Sequence, residues 1–149
     1  MTIHKKGGII TSTSGAISRK DAVRMDAHAE LYYEEIRARK TDVEAIAKNT
    51  GFSVKDIKDI KNHIFMNYHD LGGDSPERFD SHYDMAISWQ RLINGENIQE
   101  MDLVLLHHEL HELRQMEQGA SFEVAHESAQ TLYNYSNFIQ ALNEKEGVS

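Results

Sequence analysis

The chain has 149 residues and no cysteine, which suits one helical domain with a real core and excludes disulfides and thiolate metal sites. Its formal charge of −8 is unevenly divided: residues 1–66 hold twelve basic against nine acidic side chains, residues 67–149 four against fifteen. So acidic a C-terminal half argues against general adhesion to nucleic acid, whose phosphates it would repel, and favours a cation or a basic partner.

The opening MTIHKKGGIITSTSG has no apolar run of the secretory type, and no stretch approaches membrane-spanning length, so the expectation is a cytoplasmic protein without membrane attachment. Residues 1–15 read as a flexible tail, 16–144 as a single helical domain and 145–149 as a flexible end. Ser18, with Asp21 three residues on, reads as the N-cap of a first helix that turns Ala22, Met25, Ala29, Tyr32, Tyr33 and Ile36 inward. His28 belongs to its surface.

Residues 41–65, TDVEAIAKNTGFSVKDIKDIKNHIF, form a second pattern. Thr41 caps a short helix with Glu44 as its box partner, Ala47 and Gly51 make a close approach and a turn, and Ser53 caps a helix anchored by Ile57 and Ile60. This spacing resembles a helix-turn-helix. On its second helix Lys55, Lys58 and Lys61 would reach phosphates, although Asp56 and Asp59 share that surface and the unit as a whole is neutral. Packing alone is the competing explanation.

Gly72, Gly73 and Pro76 break the chain after Phe65 into a loop that carries His69 and Asp70. A helix from Asp80 or Ser81 through Leu92 follows, with Trp89 in the core and Arg91 in a surface ion pair, and it stops at Asn94-Gly95. No run alternates long enough for a strand. The predicted fold is all-α, an irregular bundle of about six helices with a helix-turn-helix-like hairpin and a C-terminal helical hairpin.

The central helix, DLVLLHHELHELRQMEQ from Asp102, holds the chemistry. Leu103, Leu106, Leu110 and Leu113 form a stripe taken as its core side; at about 100° per residue His108, Glu112 and Leu105 project from the opposite, wet side, with His107 and Glu109 on the flanks. His108-Glu109-Leu110-His111-Glu112 spells HExxE. It resembles the HExxH of zinc peptidases with a glutamate in the last place. Ligands one helical turn apart reach one metal, and the glutamate between them handles protons on water. Beyond a break at Gly119, a last helix capped by Ser121 turns Val124, Ala125, Ala129, Leu132 and Tyr133 inward and is extended by Phe138, Ile139 and Leu142. It runs back past the first and offers His126 as the third ligand. The carboxylate makes zinc, manganese, magnesium and iron all eligible, and a solvated His/Glu face without metal is the alternative. Seven of the nine histidines lie between residues 63 and 126.

Taken together and in this order, KNHIF, RFDSHYDMAISWQRLINGENI, DLVLLHHELHE and VAHESA followed by YNY resemble a helical domain at the C-terminal ends of phage minor head (head-morphogenesis) proteins and bacterial polymorphic toxins. The likeness covers about residues 41–137 and carries over His63, His108, Glu109, Glu112 and His126. It implies a phage or prophage origin, a phage- or toxin-associated partner and a toxin-like enzymatic domain. The function that results is a metal-dependent hydrolase, nuclease or peptidase, in which His108, Glu112 and His126 hold a divalent cation, Glu109 takes a proton from water and His63 stabilises developing charge. The alternative is a helix-turn-helix DNA-binding protein using Lys55, Lys58 and Lys61, or a phage head or structural accessory protein without catalysis.

Overall fold

The computed structural model describes Arg19 and residues 21–145. Among them are seven α-helices and no sheet, the backbone pairing of His69 with Glu77 being an isolated bridge. None of these helices is long and apolar enough to cross a membrane. The tail assigned to residues 1–15, the cap assigned to Ser18 and residues 146–149 lie outside the described residues.

Helix α1, Ala22–Ala38, buries Ala29, Tyr32, Tyr33 and Ile36 at helical spacing. Asp21 is its N-cap, accepting from the Arg24 N–H at 3.2 Å. Helices α2, Asp42–Thr50, and α3, Val54–Lys61, meet at Gly51, whose φ of +84° is the left-handed conformation that closes the turn. Ser53 caps α3 through the Asp56 N–H at 3.0 Å. Thr41 stands at the head of α2 without the expected side-chain cap bond. The Asp42 carboxylate next to it turns inward instead, taking the Lys61 ammonium and the Trp89 indole N–H at 3.0 Å each. A buried ion pair and an indole thus tie α2 and α3 to α4, Tyr83–Asn94. At the end of α4 the Asn49 amide donates to the carbonyls of Leu92 and Ile93, 2.9 and 3.0 Å away, two of the groups a helix end leaves unpaired. Gly95 follows at φ +72°, a strained conformation for other residues, and a Cβ there would lie 2.9 Å from the Asn49 amide and displace it from these carbonyls.

Helix α5, Glu100–Glu117, opens with a capping box between Gln99 and Asp102. Arg91 does not form the expected surface pair: it holds fully buried Asp102 with two bonds of 2.8 and 2.7 Å, joining α4 to the head of α5. The last helix is two helices, α6, Phe122–Leu132, and α7, Tyr135–Lys145. The chain breaks in a bend at Tyr133, whose φ of −135° and ψ of 86° are non-helical, and the Asn134 side chain takes the Asn137 N–H at 3.0 Å in the first turn of α7. Ala125 and Ala129 face inward as expected, whereas Val124 and Leu132 are 58% and 60% exposed. The main core gathers Tyr33, Ile46, Ile57, Ile60, Phe65 and Trp89, and a smaller cluster packs Met101 and Leu105 against Tyr135.

Candidate metal centre

The side of α5 that carries His108 and Glu112 is not wet. They are 3% and 2% exposed, and Glu109 between them 7%. The leucine stripe is correspondingly weaker than expected, for Leu103 is 37% exposed while Leu105, assigned to the opposite side, is fully buried. Neighbours explain this: α5 packs against α3, α4, α6, α7 and the segment Asn62–Met66, so it is enclosed on more than one side. Polar groups at such positions need partners.

Those partners converge on Glu112. His126, from α6, places Nδ1 2.7 Å from one carboxylate oxygen, Oε2. His63 places Nε2 2.7 Å from the other, Oε1, and 3.7 Å from Glu109 Oε1. His108 Nε2 lies 3.6 Å from Glu112 Oε2 and 4.0 Å from Glu109 Oε2. His63 gets there because α3 widens into a π-helical turn over Asn62–Met66, closed by the Asn67 N–H on the Asn62 carbonyl at 2.7 Å. Such turns re-aim side chains, and they occur often at functional sites.

His108 is the most constrained of the three. Its Nδ1–H donates to the Tyr133 carbonyl at 2.9 Å. A carbonyl only accepts, so the proton of the neutral ring sits on Nδ1 and the Nε2 lone pair faces the two carboxylates. A second bond of this kind is what orients and polarises metal-binding histidines. The break between α6 and α7 makes it available by releasing that carbonyl from the helical ladder. Phe122 stacks on His126 and Phe79 edges against His63, limiting ring rotation. His69, stacked on Phe79, donates Nε2–H to the His63 carbonyl at 2.8 Å.

Charge follows from these contacts. Burial works against ionised Glu112, but the surrounding imidazoles outweigh it and hold the carboxyl well below its usual range. Glu112 in turn raises His126, against a smaller opposing effect of burial. Glu109 goes the other way, pushed well above the carboxylate range by burial and by the neighbouring charge of Glu112. Two carboxyls three residues apart are therefore pushed in opposite directions, Glu112 toward its ionised form and Glu109 toward its protonated one.

The donor set fits a divalent cation. Ligand atoms of His108, Glu112 and His126 lie within 4.8 Å of one another, as do those of His63, Glu109 and Glu112. Two imidazoles and a carboxylate are the ligands of catalytic zinc sites and serve manganese and iron equally. His108, Glu109 and His126 also line a cavity of about 530 Å³ between α4, α6 and α7, so a cation held there faces open space. No protein-family model, curated protein or solved structure matches the chain. The chemistry of the site is therefore read from these side chains.

The remaining predicted residues fall elsewhere. His63 is brought to the centre, but it lines a separate groove of about 280 Å³ with Asp59, Asn62 and His69; its Nε2 is committed to Glu112. Of the three lysines expected on a DNA-facing surface, Lys55 pairs with Asp59 at 2.7 Å and Lys58 is exposed, whereas Lys61 is buried on Asp42 and on the Arg39 carbonyl. Asp56 and Asp59 both turn to Arg114 of α5, so α3 uses part of its polar face for packing. His111 bonds Ser128 at 2.8 Å and His107 stacks on Tyr133. The sequence reading missed the carbonyl of Tyr133 and the support from His69. The pair Tyr133-Asn134 after α6 was the available signal for the first, asparagine being a common helix N-cap.

Proposed function

We propose that the chain is a metal-dependent hydrolase of toxin-like type, of phage or prophage origin. The observation that carries the catalytic reading is the fixed tautomer of His108, which aims a lone pair at a buried carboxylate flanked by His126. In this reading His108, His126 and Glu112 hold one divalent cation, and His63 positions Glu112 by binding its second oxygen. When bound, the cation polarises the scissile group and makes water acidic enough to attack near neutral pH. Glu109, at the edge of the large cavity, accepts the proton of that water and returns it to the leaving group. Beside a bound cation Glu109 would lose its proton more readily, since the positive charge would offset the repulsion of Glu112. The phage and toxin association rests on the motif order from KNHIF to YNY alone.

Glu109→Gln tests the assignment. The neutral amide resembles the protonated carboxyl, so zinc uptake should stay close to the parent value and the melting temperature of the cation-free chain should not fall, rising above pH 4.5 where ionisation of the unfolded parent costs stability. Turnover should drop about 10²- to 10⁴-fold, the usual contribution of a positioned proton acceptor. Full activity in a zinc-loaded Glu109→Gln protein would remove Glu109 from the mechanism.

A further inference from the structure

The 530 Å³ cavity beside His108, Glu109 and His126 has a chemistry of its own, and we infer that it is a cleft for a peptide substrate, which makes the site an amide hydrolase. The inference rests on the hydrolase reading and adds the substrate class.

Charge is the first argument. None of the described residues that line the cavity is a lysine or arginine, and two of them, Glu109 and Glu144, are carboxylic acids. Arg19 approaches from the side through Asn143, but its guanidinium is bonded to Asp84 by both terminal nitrogens. A nuclease cleft must neutralise several phosphates along a strand, which these walls do not do in a chain of charge −8. A peptide carries no backbone charge and meets no such repulsion.

Hydrogen bonding is the second. Gln130, Gln140, Asn143 and Ser136 supply the polar part of the wall. Gln130 Nε2 bonds Ser136 Oγ at 2.7 Å, and the other end of its amide, Oε1, is buried with no partner. The serine hydroxyl donates or accepts equally well, so Gln130 can turn either its C=O or its NH₂ to the cavity. A backbone amide offers the complement of both. Met85 and Ile139 form an apolar patch on the same wall, suited to an uncharged side chain next to the cleaved bond. In the reaction the water oxygen bonds to the carbonyl carbon and the C–N bond breaks. The proton taken by Glu109 leaves on the new amine, and the products are a carboxylate and an amine.

The test uses the full chain and begins with a zinc titration, read calorimetrically. Uptake of no zinc overturns the hydrolase reading itself, before any substrate is added. The zinc-loaded protein is then given mixed-sequence internally quenched peptides and, separately, mixed-sequence quenched single-stranded RNA and DNA. The expected result is peptide cleavage that a chelator stops, with both oligonucleotides intact. Gln130→Leu should raise KM about tenfold, the cost of one lost hydrogen bond, with a smaller change in kcat and unchanged zinc uptake. Gln130→Glu, nearly isosteric, serves as the second variant should Gln130→Leu fail to fold. Cleavage of either oligonucleotide, a zinc-loaded chain that cleaves no peptide, or an unchanged KM in the folded Gln130 variant overturns the assignment.

Discussion

Glu112 is ionised at a buried position because imidazoles surround it, and this gives the metal-free chain a distinct pH profile. Its folded pKa is depressed below the ordinary 4.5, so its contribution to stability is present above that pH and lost as pH falls. For His126 the folded value is raised above 6.5; its contribution is complete below 6.5 and disappears as pH rises through the raised value. Glu109 keeps its proton in the fold beyond 4.5, so stability declines above that pH as the unfolded chain ionises. These three groups place the optimum near 4.5, and His69 and His82, both lowered by burial, move it upward by favouring the fold as pH rises toward 6.5. The melting temperature with chelator should therefore peak between 4.5 and 6.5 and fall toward alkaline pH. Zinc should reverse the slope, since a cation competes with the protons of His126 and Glu109 and gains as they leave. Melts across this range with chelator and with zinc check it. A chelated protein that grows steadily more stable above pH 6.5 would contradict these assignments.

At the scale of elements, two turns do different work. Gly51 joins α2 to α3 in a left-handed conformation, and a Cβ there would meet nothing within 4 Å, so Gly51→Ala costs only the strain of the turn, about 1 kcal/mol. Asn134 caps α7 next to the carbonyl that orients His108. Asn134→Ala loses a cap, also about 1 kcal/mol. The two variants should melt at similar temperatures, yet only Asn134→Ala should weaken zinc binding, because only it loosens the α6–α7 break. Equal zinc affinity in both would mean that the Tyr133 carbonyl does not depend on the α7 cap. Arg114, partly exposed on Asp56 and Asp59, is a further contrast: Arg114→Ala should cost under about 1 kcal/mol.

For the whole molecule, the Asp42 carboxylate is the lock between α2, α3 and α4. Removing it leaves Lys61 charged, buried and bonded only to a carbonyl, so Asp42→Ala should destabilise by about 3–5 kcal/mol. Denaturant unfolding measures this. The cation should act on the global equilibrium from the other end. Zinc at a hundredfold excess over its dissociation constant adds about 2.7 kcal/mol, or roughly 5–10 °C in a chain of this size. His126→Ala should abolish that shift, and a zinc-dependent rise that survived the substitution would place the cation elsewhere.

Helix existence, the turn at Gly51, the stop at Gly95 and the cap at Ser53 were all legible from residue order, because each is decided within a few residues by backbone sterics and local hydrogen bonds. So was the pairing of His108 with Glu112 on one helical face, a consequence of the helical period, and the choice of His126 as their third neighbour. Which face of α5 was buried was not legible: a periodicity describes one helix, whereas burial depends on how many helices surround it, and here several do. The same limit applies to Lys61 and Arg91, read as surface charges until Asp42 and Asp102 met them inside, and to the break at Tyr133. Sequence by itself determined which groups could share a helical turn. Only tertiary packing decided that His63, His108 and His126, from three separate segments, would close on one buried carboxylate beside an open cavity.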